Sequence, residues 1–297
     1  MHSSRTAFRG LFALPVKSAQ TLILLVLLLV GMSPCVALAT DPGHEYSFAI
    51  VPQLTPLETA RRWTPVINTI TRLTGINLRL VHYPSIPIFE SRLTEGEPDF
   101  AYMNPYHALI SHQRQGYIPI LRDSKKLLKG ILVVRADSPI QSPTDLNNAT
   151  LAFPAPNAFG ASLYMRALLH RKFGINYQSR FVQTHANVYR NVIYKIADAG
   201  GGVGRTLRSE NTKVRKLLRI IYTTPGVPAH PICAHPRVPE AIRNKIMRAF
   251  ISMSKDPKQA SKLKAIGLSL PVEANFEKDY APLTQLGLEK YLDANNY

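Results

Sequence analysis

The stretch Asp99-Phe-Ala-Tyr-Met-Asn-Pro-Tyr-His-Ala-Leu109 predicts a strand that passes directly into a helix. Its apolar residues, Phe100–Met103, are typical of a short buried strand. Asn104 is a favoured N-cap and proline is favoured at the next position, so we expect a helix over Pro105–Gln115. Unpaired N–H groups at a helix start favour a small anion, and Tyr102 would add an aromatic wall there. The pattern indicates a binding site rather than a catalytic one.

Strand-like and helix-like segments alternate along the rest of the chain. Strands are predicted at Tyr46–Val51, Asn77–His82, Phe100–Met103, Tyr117–Leu121, Gly130–Arg135, Thr150–Phe153, Arg180–Gln183 and Arg219–Thr223. Helices are predicted at Leu57–Leu73, Phe89–Glu95, Pro105–Gln115, Phe159–Phe173, Val188–Ile196, Ala241–Ser254, Pro257–Ile266 and Tyr280–Leu292. Strands separated by helices favour an α/β fold with parallel-rich sheets that are flanked by helices.

The order of these elements predicts two lobes. A second strand–helix series begins after Gly130–Arg135, and the proline-rich segment Thr224–Pro231 leads back to a helical tail. We therefore predict lobe 1 at residues 40–130 plus 231–297 and lobe 2 at residues 131–230. Two hinge crossings would join the lobes, and a ligand would bind in the cleft at the carboxyl ends of the strands.

The N-terminus has the pattern of an export signal. Arg5, Arg9 and Lys17 accompany the apolar run Leu22–Val30, and Ala37-Leu-Ala39 is a small-residue cleavage motif. The apolar run is shorter than the about 20 residues of a membrane-spanning helix. We predict a signal peptide over residues 1–39, cleaved after about Ala39, and a periplasmic protein. An uncleaved membrane anchor is the alternative.

The chain is strongly basic, with 36 Lys and Arg residues against 19 Asp and Glu residues. Without Arg5, Arg9 and Lys17 the formal charge of +17 falls to 17 − 3 = +14. Such a charge favours anionic partners. No RNA-binding signature or zinc-finger spacing accompanies it, so we predict no nucleic-acid partner. Cys233 is the single cysteine after the signal, which excludes an intramolecular disulfide in the exported protein.

Motifs typical of enzymes and metal sites are weak. The run Gly200–Thr206 is rich in glycine but lacks the lysine of a phosphate-binding loop, so we interpret it as a flexible turn. His107 and His112 are five residues apart and point to different helix faces. His230 and His235 stand in proline-rich turns and are predicted to be surface residues. We expect no cofactor, no metal and no enzymatic activity.

Segments between strands and helices supply the candidate ligand contacts. Asn157 and Ser162 lie beside the start of a predicted helix, with helix capping as the alternative role of Asn157. His185 precedes the next predicted helix. Asp198 could accept a hydrogen bond from a protonated oxyanion, and a turn residue is the alternative. The candidate ligand-binding residues are Tyr102, Asn104, Asn157, Ser162, His185 and Asp198.

Taken in order, these segments resemble the phosphate, phosphite and phosphonate solute-binding proteins of ABC transporters. The resemblance rests on Ile50-Val-Pro52, Asp99–Tyr106, Asp137-Ser-Pro139, Thr144-Asp-Leu146, Ala152-Phe153, Pro156-Asn157, Thr184-His185 and Asp198-Ala-Gly200. It spans residues 46–239. The resemblance implies a two-lobed periplasmic-binding-protein fold of type II, a ligand in the cleft and no catalysis.

The chain departs from that family at several contacts. Ala158-Phe-Gly-Ala161 stands where such proteins usually have Ser-Thr-Ser-Gly. Ile86 stands in place of a tyrosine, and Ala186 in place of an acid after the histidine. A hydrogen bond to a buried charged group contributes on the order of 1.5–3 kcal/mol, so several such losses weaken phosphonate binding. We therefore expect a ligand that is different, larger or partly aromatic.

The sequence predicts an exported, monomeric solute-binding protein. It would capture a small anionic ligand, similar to phosphate or phosphonate, and deliver it to an ABC transporter in the membrane. Ligand binding would shift an equilibrium between open and closed lobes. Two alternatives remain: a ligand-sensing receptor for a membrane sensor kinase, and a hydrolase that uses His185 as a base oriented by Asp198.

Overall fold

Two large sheets carry most of the strands of residues 44–292, the part of the 297-residue chain that the computed structural model describes. The predicted signal peptide and its cleavage site near Ala39 lie outside the described residues. Residues 44–292 contain no helix that is long and apolar enough to cross a membrane.

The first sheet, sheet A, has six strands. From one edge to the other they are Pro271–Glu273, Ile118–Asp123, Ile232–Ala234, Phe100–Tyr102, Glu45–Ile50 and Asn77–His82. The last three run parallel to one another, in agreement with the predicted strand–helix alternation. Ile232–Ala234 was not predicted as a strand, and it runs antiparallel to both of its neighbours. Sheet A is therefore mixed rather than purely parallel.

The second sheet, sheet B, has five strands. In order they are Leu218–Thr223, Gly130–Arg135, Ala199–Val203, Thr150–Phe153 and Gln178–Phe181. The last three are parallel, whereas Gly130–Arg135 is antiparallel to both of its neighbours. The strands of sheet B all come from residues 130–223, while those of sheet A come from the chain before and after that segment.

The chain passes between the two sheets twice, and the two passages pair with each other. Leu127–Leu128 and Val227–Pro228 form a short antiparallel ribbon, with Val227 opposite Leu128. This ribbon lies where the sequence predicts the hinge crossings. The lobe boundaries at residues 130 and 231 stay a prediction.

Helices cover the two sheets. They are Pro56–Thr74, Ile86–Thr94, Pro105–Gln115, Tyr164–Arg171, His185–Ile193, Gly204–Ser209, Thr212–Lys216, Glu240–Lys255, Pro257–Ile266 and Phe276–Asp279. The helix predicted from Phe89 begins at Ile86, because the Ser85 hydroxyl accepts a hydrogen bond from the N–H of Ile88 and caps the helix there.

The single helix predicted over Tyr280–Leu292 is wrong. The structure has two short 3₁₀ turns instead, Ala281–Leu286 and Glu289–Tyr291. Gly287 separates them and takes a left-handed conformation with φ of 56°, which ends the first turn. Left-handed glycine is the common terminator of a helix, so the chain cannot continue as one helix there.

The interpretation of Gly200–Thr206 as a flexible turn is also wrong. Ala199–Val203 is a fully buried strand in the middle of sheet B. A Cβ atom at Gly201 would lie 2.0 Å from the carbonyl oxygen of Ala161, and one at Gly200 would lie 2.5 Å from Val188 Cγ1. The glycines therefore allow close packing on both faces of the strand rather than a turn.

One turn of π-helix, Phe159–Leu163, precedes the helix Tyr164–Arg171 and packs against sheet B. It directs Phe159 toward sheet A, where the ring lies 5.9 Å from the ring of Tyr106 with planes only 6° apart. Phe159 is 2% exposed and belongs to the same core cluster as the central residues of sheet A. Apolar packing therefore joins the two sheets at this point.

Candidate functional site

The helix start at Asn104 forms as predicted. The Asn104 side-chain oxygen accepts a hydrogen bond of 2.8 Å from the backbone N–H of His107, and the residue is only 4% exposed. The strand before it ends at Tyr102, so both residues lie at the carboxyl end of a parallel strand of sheet A. In α/β proteins ligands bind at this edge of the sheet.

A pocket of about 740 Å³ lies beside Tyr102, between the strand ends of the two sheets. We call it the outer pocket. Six cationic residues line it: Arg62, Lys126, Lys129, Arg205, Arg208 and Lys264. None of the described residues that line it is Asp or Glu. Such a concave, basic surface attracts anions.

Tyr102 and Arg205 meet at the wall of the outer pocket. The Arg205 guanidinium, from the helix after the glycine strand, donates a hydrogen bond of 3.2 Å to the Tyr102 hydroxyl. The Tyr102 ring also lies against Trp63, at a centroid distance of 4.9 Å. Burial raises the pKa of Tyr102, so its hydroxyl stays neutral. This hydrogen bond connects the helix that follows a strand of sheet B to a strand of sheet A.

The prediction that His230 is a surface residue is wrong. His230 is 7% exposed, stacks on Tyr102 at 5.3 Å and accepts a hydrogen bond from the Gln53 amide at 3.1 Å. The proline-rich turn directs it inward because the strand Ile232–Ala234 that follows is at the centre of sheet A. Burial, reinforced by the Arg205 charge, lowers the pKa of His230 to about 3, so it is neutral at pH 7.

A second, smaller pocket adjoins the first and shares Gln53, Leu128, Val203 and His230 with it. We call it the inner pocket. Asn104 and His185 line it, together with apolar side chains that include Ile86 and Phe159. Its volume is about 10 Å³, close to the smallest cavity, of about 10–15 Å³, that holds one water molecule.

His185 lines the inner pocket in a neutral state. It is 3% exposed, and its Nδ1 atom has no hydrogen-bond partner among residues 44–292. Burial lowers the pKa of its imidazole to about 4, well below pH 7. The inner pocket therefore offers a small oxyanion polar groups but no positive charge of its own.

Two other candidate residues make contacts away from both pockets. The Asn157 amide donates a hydrogen bond of 3.2 Å to Glu90 Oε2, and Glu90 Oε1 lies 2.7 Å from His107 Nε2. All three residues are fully buried. The Ser162 hydroxyl accepts a hydrogen bond of 3.1 Å from Arg166. Asn157 connects a loop of sheet B to helices of sheet A, whereas Ser162 makes a local contact.

Asp198 lies at the far end of sheet B. It is exposed and precedes the strand Ala199–Val203, and its carboxylate accepts a hydrogen bond of 2.8 Å from the backbone N–H of Thr150. Both pockets lie at the other end of that strand, beside Val203. The structure thus brings Tyr102, Asn104 and His185 together and leaves Asp198 apart. His185 and Asp198 therefore do not form the pair of base and orienting carboxylate that the hydrolase alternative requires.

Sequence reasoning missed most of the cations of the outer pocket. Arg62 and Lys264 come from separate helices, and Arg205 and Arg208 follow the glycine strand that was interpreted as a turn. A lysine or arginine on an exposed helix face has the same pattern whether or not it lines a pocket. Lys126 and Lys129 stand close together in the sequence, beside Lys125, and this short basic cluster is the signal that the local sequence offers.

The residues that line the outer and inner pockets are suited to binding an anion. Within residues 44–292 there is no cluster of His, Cys, Asp and Glu residues that could hold a metal ion. Cys233 is fully buried in sheet A, and burial raises the pKa of its thiol, which disfavours the thiolate.

Known proteins share both the sequence pattern and the fold. The phosphonates-binding periplasmic protein of Escherichia coli (strain K12) is 22% identical over 266 residues, which cover 85% of this chain and 78% of that protein. A binding protein component of an ABC phosphonate transporter from Pseudomonas aeruginosa superposes with a TM-score of 0.75 at 15% identity. That match covers 85% of this chain and 89% of the other.

A second solved structure has nearly the same similarity. PhnD1 from Prochlorococcus marinus (MIT 9301), in complex with methylphosphonate, has a TM-score of 0.74 at 14% identity, over 83% of this chain and 98% of that one. These likenesses confirm the predicted α/β fold of the type II periplasmic binding proteins.

The sequence model of one family spans most of the chain. It matches residues 48–280 and describes the periplasmic substrate-binding proteins of phosphonate ABC transporters. Both pockets, the paired crossings and both sheets, apart from the first three residues of the strand Glu45–Ile50, lie in that range. The chain therefore belongs to the family of periplasmic substrate-binding proteins of phosphonate ABC transporters.

Proposed function

We propose that this protein captures a small anion in the outer pocket and delivers it to an ABC permease in the membrane. The observation that carries this proposal is the lining of the outer pocket, where six cations and, among the described residues, no carboxylates face a cavity between two sheets. A receptor that closes on its ligand needs a site of this kind, since residues from both sides must contact the bound anion.

The comparisons support a ligand with a phosphonate or phosphate group. The Escherichia coli relative is a phosphonates-binding protein, and the Prochlorococcus marinus structure holds methylphosphonate. In this chain Tyr102, Arg205 and His230 would contact the anion in the outer pocket, and Asn104 and His185 would shape the inner end of the site. We further propose that the protein has no enzymatic activity.

A thermal-shift screen of the purified protein tests the proposal. Phosphate, phosphite, methylphosphonate, pyrophosphate, sulfonates and carboxylates are compared with equal ionic strength of sodium chloride. Binding to the native state alone raises the melting temperature in a saturable way. We expect at least one phosphorus oxyanion to do so, and Tyr102→Ala to abolish the shift while unfolding stays cooperative. The absence of any shift would contradict the proposal, and turnover of a stabilising anion would favour an enzyme.

The transport role is tested by uptake. Cells that lack this protein should take up a stabilising anion more slowly than cells that express it, and Tyr102→Ala should not restore uptake. Unchanged uptake together with an altered response of a sensor kinase would favour the sensory alternative.

Export and oligomeric state are tested on the same protein. N-terminal sequencing of periplasmic material should place the mature start near Thr40. Light scattering should give the mass of a monomer.

A further inference from the structure

We propose that the ligand of this chain is an organic molecule with at least two phosphoryl groups, and that it binds in the outer pocket rather than in the inner one. This proposal rests on the proposed function and specifies its ligand. Three features of the molecule support it: the closure of the inner pocket, the unpaired cations of the outer pocket and the apolar part of its lining.

The inner pocket is closed to a small oxyanion. It holds about 10 Å³, whereas a methylphosphonate group needs several times the space of one water molecule. Phe159 lines the inner pocket together with His185, and its ring lies 5.9 Å from the ring of Tyr106 and 5.7 Å from that of Tyr164, with interplanar angles of 6° in both pairs. Phe159 is 2% exposed and belongs to the core cluster of sheet A, so moving its ring would disrupt core packing. A ligand therefore meets the outer pocket first.

The outer pocket has an excess of positive charge. Of its six cations, Arg62 pairs with Glu58 at 2.6 Å and Lys126 approaches Asp123 at 3.7 Å. The other four form no ion pair with any residue of the described range 44–292. They are Lys129, Arg205, Arg208 and Lys264.

These cations lie close enough to affect one another. Burial lowers the pKa of Lys126, and the neighbouring charges of Arg205 and Arg208 contribute in the same direction. Several like charges around one cavity repel each other unless an anion is bound between them. One methylphosphonate carries at most two negative charges, which leaves this excess only partly balanced. A ligand with two or more phosphoryl groups matches it better.

The rest of the lining fits an organic group. Leu127, Leu128, Ile131 and Ile220 also line the outer pocket. Leu127 is 58% exposed and Ile220 47% exposed, so apolar surface is open to solvent beside the cations. The cavity volume of about 740 Å³ is within the range of about 300–1,000 Å³ that is typical of sites for larger organic ligands. Methylphosphonate, with five heavy atoms, would fill a small part of it.

Isothermal titration calorimetry of the purified full chain tests the ligand class. The probes are methylphosphonate, inorganic phosphate, pyrophosphate, ADP and adenosine, at fixed ionic strength. We expect pyrophosphate and ADP to bind at least tenfold more tightly than phosphate and methylphosphonate. ADP should bind more tightly than pyrophosphate because of its organic group, and adenosine should not bind. Methylphosphonate that binds as tightly as both diphosphates would overturn the proposal.

The other outcomes separate this proposal from the proposed function. If methylphosphonate binds and neither diphosphate does, the receptor function stands and the diphosphate proposal falls. If pyrophosphate binds and ADP does not, the organic part of the proposal is wrong. If no anion binds, both proposals fall.

Variants at the rim locate the second phosphoryl group. Replacing two cations together, Arg208→Gln with Lys264→Gln, should weaken ADP at least tenfold and change methylphosphonate less than threefold. Lys213→Gln with Lys245→Gln is the matched control, because both lysines are exposed and lie outside the pocket. Ile220→Ser should weaken ADP but not pyrophosphate. Equal losses in the rim and control variants would contradict a role of the rim cations in binding the second charge.

Discussion

At the scale of single residues, two buried histidines make the interior of the site neutral. His185 and His230 have pKa values lowered to about 4 and about 3, because burial disfavours the charged imidazolium. Their partners are consistent with neutral rings, since the Gln53 amide donates to His230, and His185 Nδ1 has no hydrogen-bond partner within residues 44–292. Positive charge for an anion is therefore supplied by arginine and lysine side chains of the outer pocket.

These histidines should make the protein less stable in mild acid. In the unfolded chain a histidine titrates near pH 6.5, so below that pH the unfolded state takes up protons that the folded state does not. The contribution of these histidines to the free energy of unfolding is therefore fully present above about pH 6.5. It falls as the pH decreases toward their pKa values in the folded state. Between pH 7 and pH 5 each histidine should cost about 2 kcal/mol of unfolding free energy. Urea unfolding at both pH values measures the loss.

Variants assign that pH dependence. His230→Gln keeps an amide beside Gln53 but cannot titrate. The difference in unfolding free energy between pH 7 and pH 5 should therefore shrink by about 2 kcal/mol. His82→Gln, at an exposed histidine, is the control and should leave the difference unchanged. An unaltered difference in His230→Gln would mean that this histidine is protonated in the folded state.

Single residues also show what local sequence can and cannot predict. Asn104 caps its helix as predicted, because the capping hydrogen bond involves only the residue three positions later. The buried position of His230 depends on a strand that pairs with Phe100–Tyr102, more than a hundred residues earlier in the chain. No pattern near His230 contains that information, so its environment was misjudged.

At the scale of elements, the glycine strand Ala199–Val203 controls how closely two helical segments approach sheet B. Gly201 leaves room for the carbonyl of Ala161 in the π-helical turn, and Gly202 leaves room for the Tyr189 hydroxyl on the other face. The same strand leads into Arg205 at the outer pocket. Tight packing of this strand therefore positions a ligand-binding side chain.

Gly201→Ala should destabilise the protein strongly. Its Cβ atom would lie 2.0 Å from the backbone oxygen of Ala161, and backbone cannot move aside as a flexible side chain does. Overpacking of this kind costs about 3 kcal/mol or more. Gly204→Ala is the control, since its Cβ would meet only the end of the Arg208 side chain, at 3.0 Å. Urea midpoints should fall for Gly201→Ala and stay nearly constant for Gly204→Ala, and similar midpoints would contradict this account.

The alternation of strands and helices was predictable because it rests on local periodicity. Gly130–Arg135, Thr150–Phe153 and Pro257–Ile266 have the predicted bounds. The antiparallel strand Ile232–Ala234 was missed because three residues are too short to show a period of two. The strand Ala199–Val203 was missed because glycine is typical of turns, and the local sequence does not show the close packing that requires glycine in this strand.

At the scale of the whole molecule, side-chain contacts hold the two sheets together, and three of them involve residues discussed above. They are the Tyr102–Arg205 hydrogen bond, the Tyr106–Phe159 ring pair and the Asn157–Glu90 hydrogen bond. Each joins a residue on the side of sheet A to one on the side of sheet B. The family fold was predictable from the order of motifs along the chain, whereas these contacts depend on side chains that meet only after the chain has crossed twice.

Asn157→Asp should shift the molecule toward an open arrangement. Asn157 donates to the buried Glu90 carboxylate at 3.2 Å, and a second carboxylate there would replace a hydrogen bond by repulsion. A hydrogen bond to a charged group contributes about 1.5–3 kcal/mol, so the affinity for pyrophosphate should fall by roughly tenfold or more. Small-angle X-ray scattering at pH 8 should give a larger radius of gyration for the free variant, and saturating pyrophosphate should reduce it. Ser162→Ala is the matched control, because this buried serine lies in the same segment and its hydroxyl accepts a hydrogen bond from Arg166 on its own side. A free variant with the same radius of gyration and affinity as the parent would show that the Asn157–Glu90 contact does not govern closure.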